Sequence, residues 1–140
     1  MNKYVIVQTD GACRGNPGPA ATGIVILDGT SSQTIAEFGS KLGHATNNEA
    51  EYQALLEAVK WLLERKALLA NDVQIHFYLD SELVVKQLTG VFRINGLRLR
   101  ELAGEVQTGL SQLPGKYAFQ HIPRFQNARA DRLANKTLDT

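Results

Sequence analysis

The hydrophobic period of this chain first changes at Thr46, and that change limits the fold more than any other feature. Before it, β-branched and apolar residues fall in short runs over Lys3–Asp10, Ala21–Leu27 and Gln33–Leu42. Such runs predict three strands. The second and third flank Asp28-Gly29-Thr30-Ser31-Ser32, which suits an antiparallel hairpin, and Gly11–Pro19 is a loop of turn residues. From Thr46 onward, Thr46-Asn47-Asn48-Glu49 has the form of a capping box. Ala54, Leu55, Ala58, Val59, Leu62 and Leu63 follow at helical spacing, so a helix runs to about Arg65. Asn71-Asp72 then turns the chain into a strand over Val73–Asp80, and a short helix covers Ser81–Thr89. A second helix spans Leu97–Leu113 despite Gly104 and Gly109, and Pro114-Gly115 leads into a strand over Lys116–Ile122. Asn127 caps a last helix carrying Ala130, Leu133, Ala134 and Leu138. The order βββαβααβα implies an α/β domain over residues 1–140, with a mixed five-stranded sheet and helices on both faces.

Composition narrows the function without choosing it. Fifteen Lys and Arg against fourteen Asp and Glu leave a net charge of +1, so bulk charge does not argue for a nucleic-acid partner. A single cysteine, Cys13, excludes an internal disulfide framework and a thiolate metal cluster. No apolar run approaches the ~18 residues a membrane helix needs. The N-terminal segment meets Asp10 too early for a secretory signal. The expectation is a cytoplasmic protein with no membrane contact, acting as a monomer.

Most acids, including Asp28, Glu37, Glu57, Glu64, Asp72, Glu101, Glu105 and Asp139, read as solvated surface charge. Four do not fit that role easily. Asp10 and Asp80 each end an apolar strand and are followed by a small residue, where sheets with helical crossovers gather ligands; starting a turn is the alternative for either alone. Glu51 shares a helical stripe with Leu55, Ala58 and Leu62, and an ionised carboxylate on a core-facing stripe is costly unless paired or metal-bound. Asp131 lies in the first turn of the last helix, where the helix dipole would also favour it. Carboxylates converging at one sheet end repel unless cations neutralise them. Oxygen ligands with few histidines suit Mg²⁺ or Mn²⁺, and two such ions form a clamp for phosphoryl chemistry.

Four segments, Thr9-Asp10-Gly11-Ala12-Cys13-Arg14-Gly15-Asn16-Pro17-Gly18-Pro19, Thr46-Asn47-Asn48-Glu49-Ala50-Glu51, Asp80-Ser81-Glu82-Leu83-Val84-Val85 and Asn127-Ala128-Arg129-Ala130-Asp131, together resemble the type 1 ribonuclease H family. The resemblance covers essentially the whole chain and implies that family's fold. It implies an endonuclease that cuts the RNA strand of RNA–DNA hybrids and leaves 5′-phosphate and 3′-hydroxyl ends. Asp10, Glu51, Asp80 and Asp131 would hold two Mg²⁺ ions, with Mn²⁺ as a possible substitute. Contacts to RNA 2′-hydroxyls map onto Gly11, Cys13 and Asn16 of the first loop and onto Asn47 and Asn48. Thr46 and Asn95 match positions that hold a phosphate of the DNA strand.

Two departures from the family pattern carry expectations of their own. The segment His121-Ile122-Pro123-Arg124-Phe125-Gln126-Asn127 is short and resembles the family's variant in which an arginine replaces the mobile loop histidine; the resemblance implies an auxiliary catalytic role for Arg124, whose guanidinium can stabilise a departing phosphate, with simple solvent contact as the alternative. His121 belongs to the strand, and Glu82 adds charge beside Asp80 in an open role. Between Thr89 and Leu97 the long basic helix of some relatives is missing. Lys86, Arg93, Arg98 and Arg100 remain as a modest basic cluster, and weaker hybrid binding is expected. A resolvase or integrase domain shares the fold, but the asparagine pair and the Gly-Asn-Pro-Gly loop favour an RNA-sensing site. A binding module without catalysis would not need all four acids.

Overall fold

The computed structural model describes residues 1–140. Its strands are β1 (Asn2–Cys13), β2 (Gly18–Asp28), β3 (Thr34–Phe38), β4 (Lys41–Ala45), β5 (Leu69–Leu79) and β6 (Lys116–His121). The helices are α1 (Asn47–Glu64), α2 (Glu82–Leu88), α3 (Leu97–Ser111) and α4 (Ala128–Asp139), with short 3-10 turns at Lys66–Leu68 and Arg124–Asn127. The sheet runs β3-β2-β1-β5-β6, and β4 also pairs with β2. β1, β5 and β6 are mutually parallel, whereas β2 runs antiparallel to β1, β3 and β4. The expected mixed sheet is present, with its third strand divided.

That division makes six strands of the expected five. Gln33–Leu42 breaks at Gly39-Ser40, where a Cβ on Gly39 would lie 2.3 Å from the Thr22 carbonyl oxygen. Ser40 instead exchanges hydrogen bonds with Thr22: the Thr22 amide donates to the Ser40 carbonyl at 2.9 Å, and the Ser40 amide donates to Thr22 Oγ1 at 3.0 Å. Both halves still lie along β2. Asn71-Asp72 is not a turn but an exposed bulge inside β5, at a register shift opposite Asn2–Tyr4.

Helices cover both faces. Val5, Val7, Ile24, Ile26, Ile75 and Phe77 of the sheet are buried in one cluster with Leu55, Val59 and Leu62 of α1 and Leu102, Val106 and Leu110 of α3. Gly109 lets α3 come close to α1, because a Cβ there would lie 2.7 Å from Val59 Cγ1. Its cost to helix propensity is offset by this close approach. α4 lies on the opposite face against β2, and Gly23 is the contact point: its Cβ would meet the Ala130 carbonyl at 2.3 Å and the Ala134 amide at 2.6 Å. The α1 capping box forms as the sequence predicts, with Thr46 Oγ1 accepting from the Glu49 amide at 3.1 Å and Glu49 Oε1 accepting from the Thr46 amide at 3.0 Å. No helix is long and apolar enough to cross a membrane.

Candidate active site

β1 does not stop at Asp10. It continues through Gly11, Ala12 and Cys13, paired with Thr22, Ala21 and Ala20 of β2. β5 does stop there, since its last pair with β1 is Thr9–Leu79. Asp10 and Asp80 therefore stand where two parallel neighbours part, and the gap is filled by the first turns of α1. Gly11 is required at this seam, because a Cβ would lie 2.6 Å from the Ala50 carbonyl carbon and 2.8 Å from the Glu51 amide nitrogen. With glycine in place, its amide donates to Asp10 Oδ1 at 3.0 Å and to Glu51 Oε1 at 3.1 Å.

Asp10, Glu51 and Asp80 each bring a carboxylate oxygen within 4.8 Å of the others. Asp10 is 3% and Glu51 8% exposed, so both charges are largely desolvated. Burial is the main cause that raises both carboxyls above the usual carboxylate range, Glu51 to about 7; for Asp10 the charge of Glu51 is the next cause. Asp131, half-buried in the first turn of α4, also bears on the proton affinity of Asp10. Asp10 Oδ2 and Glu51 Oε2 are buried with no hydrogen-bond partner. Unpaired buried carboxylate oxygens are expensive, and this hard-oxygen set facing one point fits a divalent cation of the Mg²⁺ kind.

The other residues singled out from the sequence surround this pocket unevenly. Arg124 is exposed on the short turn before α4, and its positive charge acts on Glu51. Asn16 Oδ1 accepts from the Asn47 amide at 3.0 Å, which joins the first loop to the α1 N-terminus beside Thr46 and Asn48. Cys13 is half-buried, with Sγ 3.1 Å from the Ala45 carbonyl oxygen. Asn95 lies exposed in the connection between α2 and α3. That connection is anchored by Gln87, which accepts from the buried Tyr52 hydroxyl at 2.7 Å and donates to the Arg93 carbonyl at 3.1 Å. His121 ends β6 as expected and faces Glu82 closely enough to lower the Glu82 carboxyl, after the larger effect of Lys86. Lys86 pairs with Glu82 at 2.6 Å, and Arg98 sits 3.6 Å from Glu101 and 3.9 Å from Glu49. Half of the basic cluster between α2 and α3 is thus already paired.

Asn127 corrects the sequence expectation. It stands at the N-cap position of α4, yet its side chain makes no capping bond. Fully buried, it donates from Nδ2 to the Thr9 carbonyl at 2.9 Å and to Asp80 Oδ2 at 3.0 Å. It joins β1, β5 and α4 at the carboxylate cluster. Asparagine at a helix start is so common a cap that the sequence carries no separate signal for this long-range role. Glu57 is the second correction: it is not solvated surface charge but accepts from Ser40 Oγ and Thr22 Oγ1, with Oε2 buried. An Asn127→Ala protein is expected to lose about 1–3 kcal/mol of stability, the cost of leaving buried partners unpaired. Its activity should fall as well, because Asp80 loses its positioning donor; chemical denaturation and a cleavage assay on the same preparation check both.

An acid cluster at the parting of parallel strands, with helices on both faces of a mixed sheet, places this chain among α/β domains whose strand-end carboxylates could hold a metal ion. Residues 8–137 match the family described as reverse transcriptase-like. Among characterised relatives, Ribonuclease HI of Halobacterium salinarum is 46% identical over 133 residues, which span 93% of this chain and 62% of that protein. The crystal structure of RNase H1 from the same organism superposes with a TM-score of 0.87 at 40% identity, covering 97% of this chain and 98% of the other. The LC11 RNase H1, solved in complex with an RNA/DNA hybrid, superposes with a TM-score of 0.89 at 38% identity over 96% of each chain. The chain belongs to the type 1 ribonuclease H family.

Proposed function

We propose that this chain is a ribonuclease H that hydrolyses the RNA strand of RNA–DNA hybrids. The observation that carries this reading is the convergence of Asp10, Glu51 and Asp80 within 4.8 Å, in a chain whose relatives are ribonucleases H. The hybrid-bound LC11 relative supports the choice of substrate. Asp10, Glu51, Asp80 and Asp131 would hold two Mg²⁺ ions, with Mn²⁺ as a substitute. Bound there, the pair would supply an activated water and charge stabilisation for the leaving oxygen.

The chain's own residues do the rest. The Gly11 amide holds Glu51 Oε1 in place, and Asn127 Nδ2 holds Asp80 Oδ2. Arg124 presents a cation that cannot lose its proton at the mouth of the pocket, suited to the departing phosphate. Gly11, Cys13, Asn16, Asn47 and Asn48 line the approach over the α1 N-terminus and read 2′-hydroxyls, the group that separates RNA from DNA. Thr46 and Asn95 receive a phosphate of the DNA strand, since helix N-termini bind anions. The chain acts as a cytoplasmic monomer. Assay of a labelled hybrid, duplex DNA and duplex RNA with Mg²⁺ tests the reading: the hybrid's RNA strand should be cut and duplex DNA left intact, and equal cleavage of hybrid and duplex DNA would reject it.

Metal and pH should be linked in a definite direction. Glu51 and Asp10 bind protons more tightly in the folded chain than in the unfolded one. The metal-free fold therefore loses stability as pH rises above the unfolded carboxylate range near 4, through about 7 for Glu51. A cation must displace those protons to bind. Saturating Mg²⁺ is thus expected to raise the melting temperature more at about pH 8 than at about pH 5. Calorimetry with and without EDTA checks this, and equal shifts at the two pH values would contradict it.

A further inference from the structure

The exposed side of α4 carries basic groups that the proposed catalysis does not use. Arg129, Arg132 and Lys136 are spaced three and four residues apart, which sets them along one helical face. They border an open cleft of about 700 Å³ whose lining also includes Glu37, Asp131 and Asn135. Arg129 is committed to the fold: its guanidinium binds Glu37 at 2.7 Å and Thr34 Oγ1 at 2.8 Å, tying α4 to β3. Arg132 and Lys136 differ. Both are exposed, and neither makes an ion pair or a side-chain hydrogen bond. Asp131 lines this cleft and also acts on Asp10, so the free cations stand one and five residues beyond an acid that reaches the catalytic cluster, on the same helix.

We propose that Arg132 and Lys136 form a docking track for RNA-strand phosphates flanking the cleavage position. The inference rests on the hybrid-cleaving reading above, because it requires an RNA-strand phosphate in the acid pocket beside the first turn of α4. The track spans about 6 Å from Arg132 to Lys136 at 1.5 Å per residue, enough for two neighbouring phosphates at most. It compensates in part for the absent basic helix between α2 and α3, where Lys86 and Arg98 are already paired with acids.

The test measures hybrid affinity against salt in an Asp10→Asn background, so that the substrate survives. Neutralising two phosphate contacts contributes about 1.8 to the slope of log affinity against log salt. Arg132→Gln/Lys136→Gln should lower the slope by that amount, equivalent to about a twelvefold smaller affinity loss over a fourfold rise in salt. Lys3→Gln/Lys66→Gln, with the same charge change at the far end of the sheet, should leave the slope unaltered. With Asp10 intact, the Arg132→Gln/Lys136→Gln pair should raise KM and leave kcat unchanged. A slope lowered no more than in the Lys3/Lys66 control overturns the track. A wild-type protein that does not cut hybrid at all would instead reject the function on which the track rests.

Discussion

Asp10→Asn protein is expected to lose hybrid cleavage by on the order of 10³-fold and, in metal-free buffer above neutral pH, to melt higher than wild type. The two effects have one cause. Asp10 is 3% exposed and shares its pocket with Glu51 and Asp80, so without cations burial and like charge disfavour its ionised form, and folding above neutral pH must take up a proton there. An amide of the same shape needs no proton and can donate to Glu51. Stability should rise by about 1–2 kcal/mol, roughly 3–8 °C for a domain of this size. The same change removes an anionic oxygen from the cation site, and losing about 4 kcal/mol of transition-state stabilisation corresponds to the expected rate loss. Mg²⁺ should then raise the melting temperature of the variant by less than that of wild type. Calorimetry with EDTA at about pH 8, paired with a hybrid assay, reads both effects. A variant that melts lower than wild type there would show that Asp10 is not under electrostatic strain.

Gly23→Ala is expected to damage both fold and catalysis from a position with no chemistry of its own. The added Cβ would lie 2.3 Å from the Ala130 carbonyl oxygen and 2.6 Å from the Ala134 amide nitrogen. Both are backbone atoms of α4, so relief requires the helix to move away from β2. Overpacking against backbone costs about 3 kcal/mol, roughly a 10 °C drop in melting temperature. Asp131 moves with the helix, so activity should fall further than the unfolded fraction explains, and Mg²⁺ should stabilise the variant less than wild type. Alanine at Gly104, where no atom lies within 4 Å, is the matched control; helix propensity there favours alanine by about 1 kcal/mol. Unchanged melting of Gly23→Ala would mean that α4 does not rest on β2 as the structure places it.

Much of the fold was legible in the residues. The Thr46 capping box, the α1 stripe and the hairpin between β2 and β3 are local patterns, and each formed near its expected place. Glu51 was legible as well, because a charge on a core-facing stripe contradicts its surroundings. Gly39-Ser40 was not, because the break in the third strand comes from Thr22, whose backbone and side chain lie across the sheet. Glu57 read as a solvated acid because Thr22 and Ser40 reach it from β2 and the β3–β4 corner. Asn127 read as a cap because its true acceptors, the Thr9 carbonyl and Asp80 Oδ2, belong to strands distant along the chain.

The amino-acid order alone determined the helices, most of the strands, the helix start at Thr46 and the misfit of Glu51 on its stripe, since these depend on side-chain period and on neighbours a few residues apart. Only the tertiary structure decided that Asp10, Glu51 and Asp80 share a pocket, that Asn127 ties α4 to β1 and Asp80, and that Arg132 and Lys136 run free beside Asp131. Those facts depend on the pairing of β1 with β5 and on how closely glycine lets α1 and α4 approach the sheet. Contacts between distant segments follow from packing, which no local period encodes.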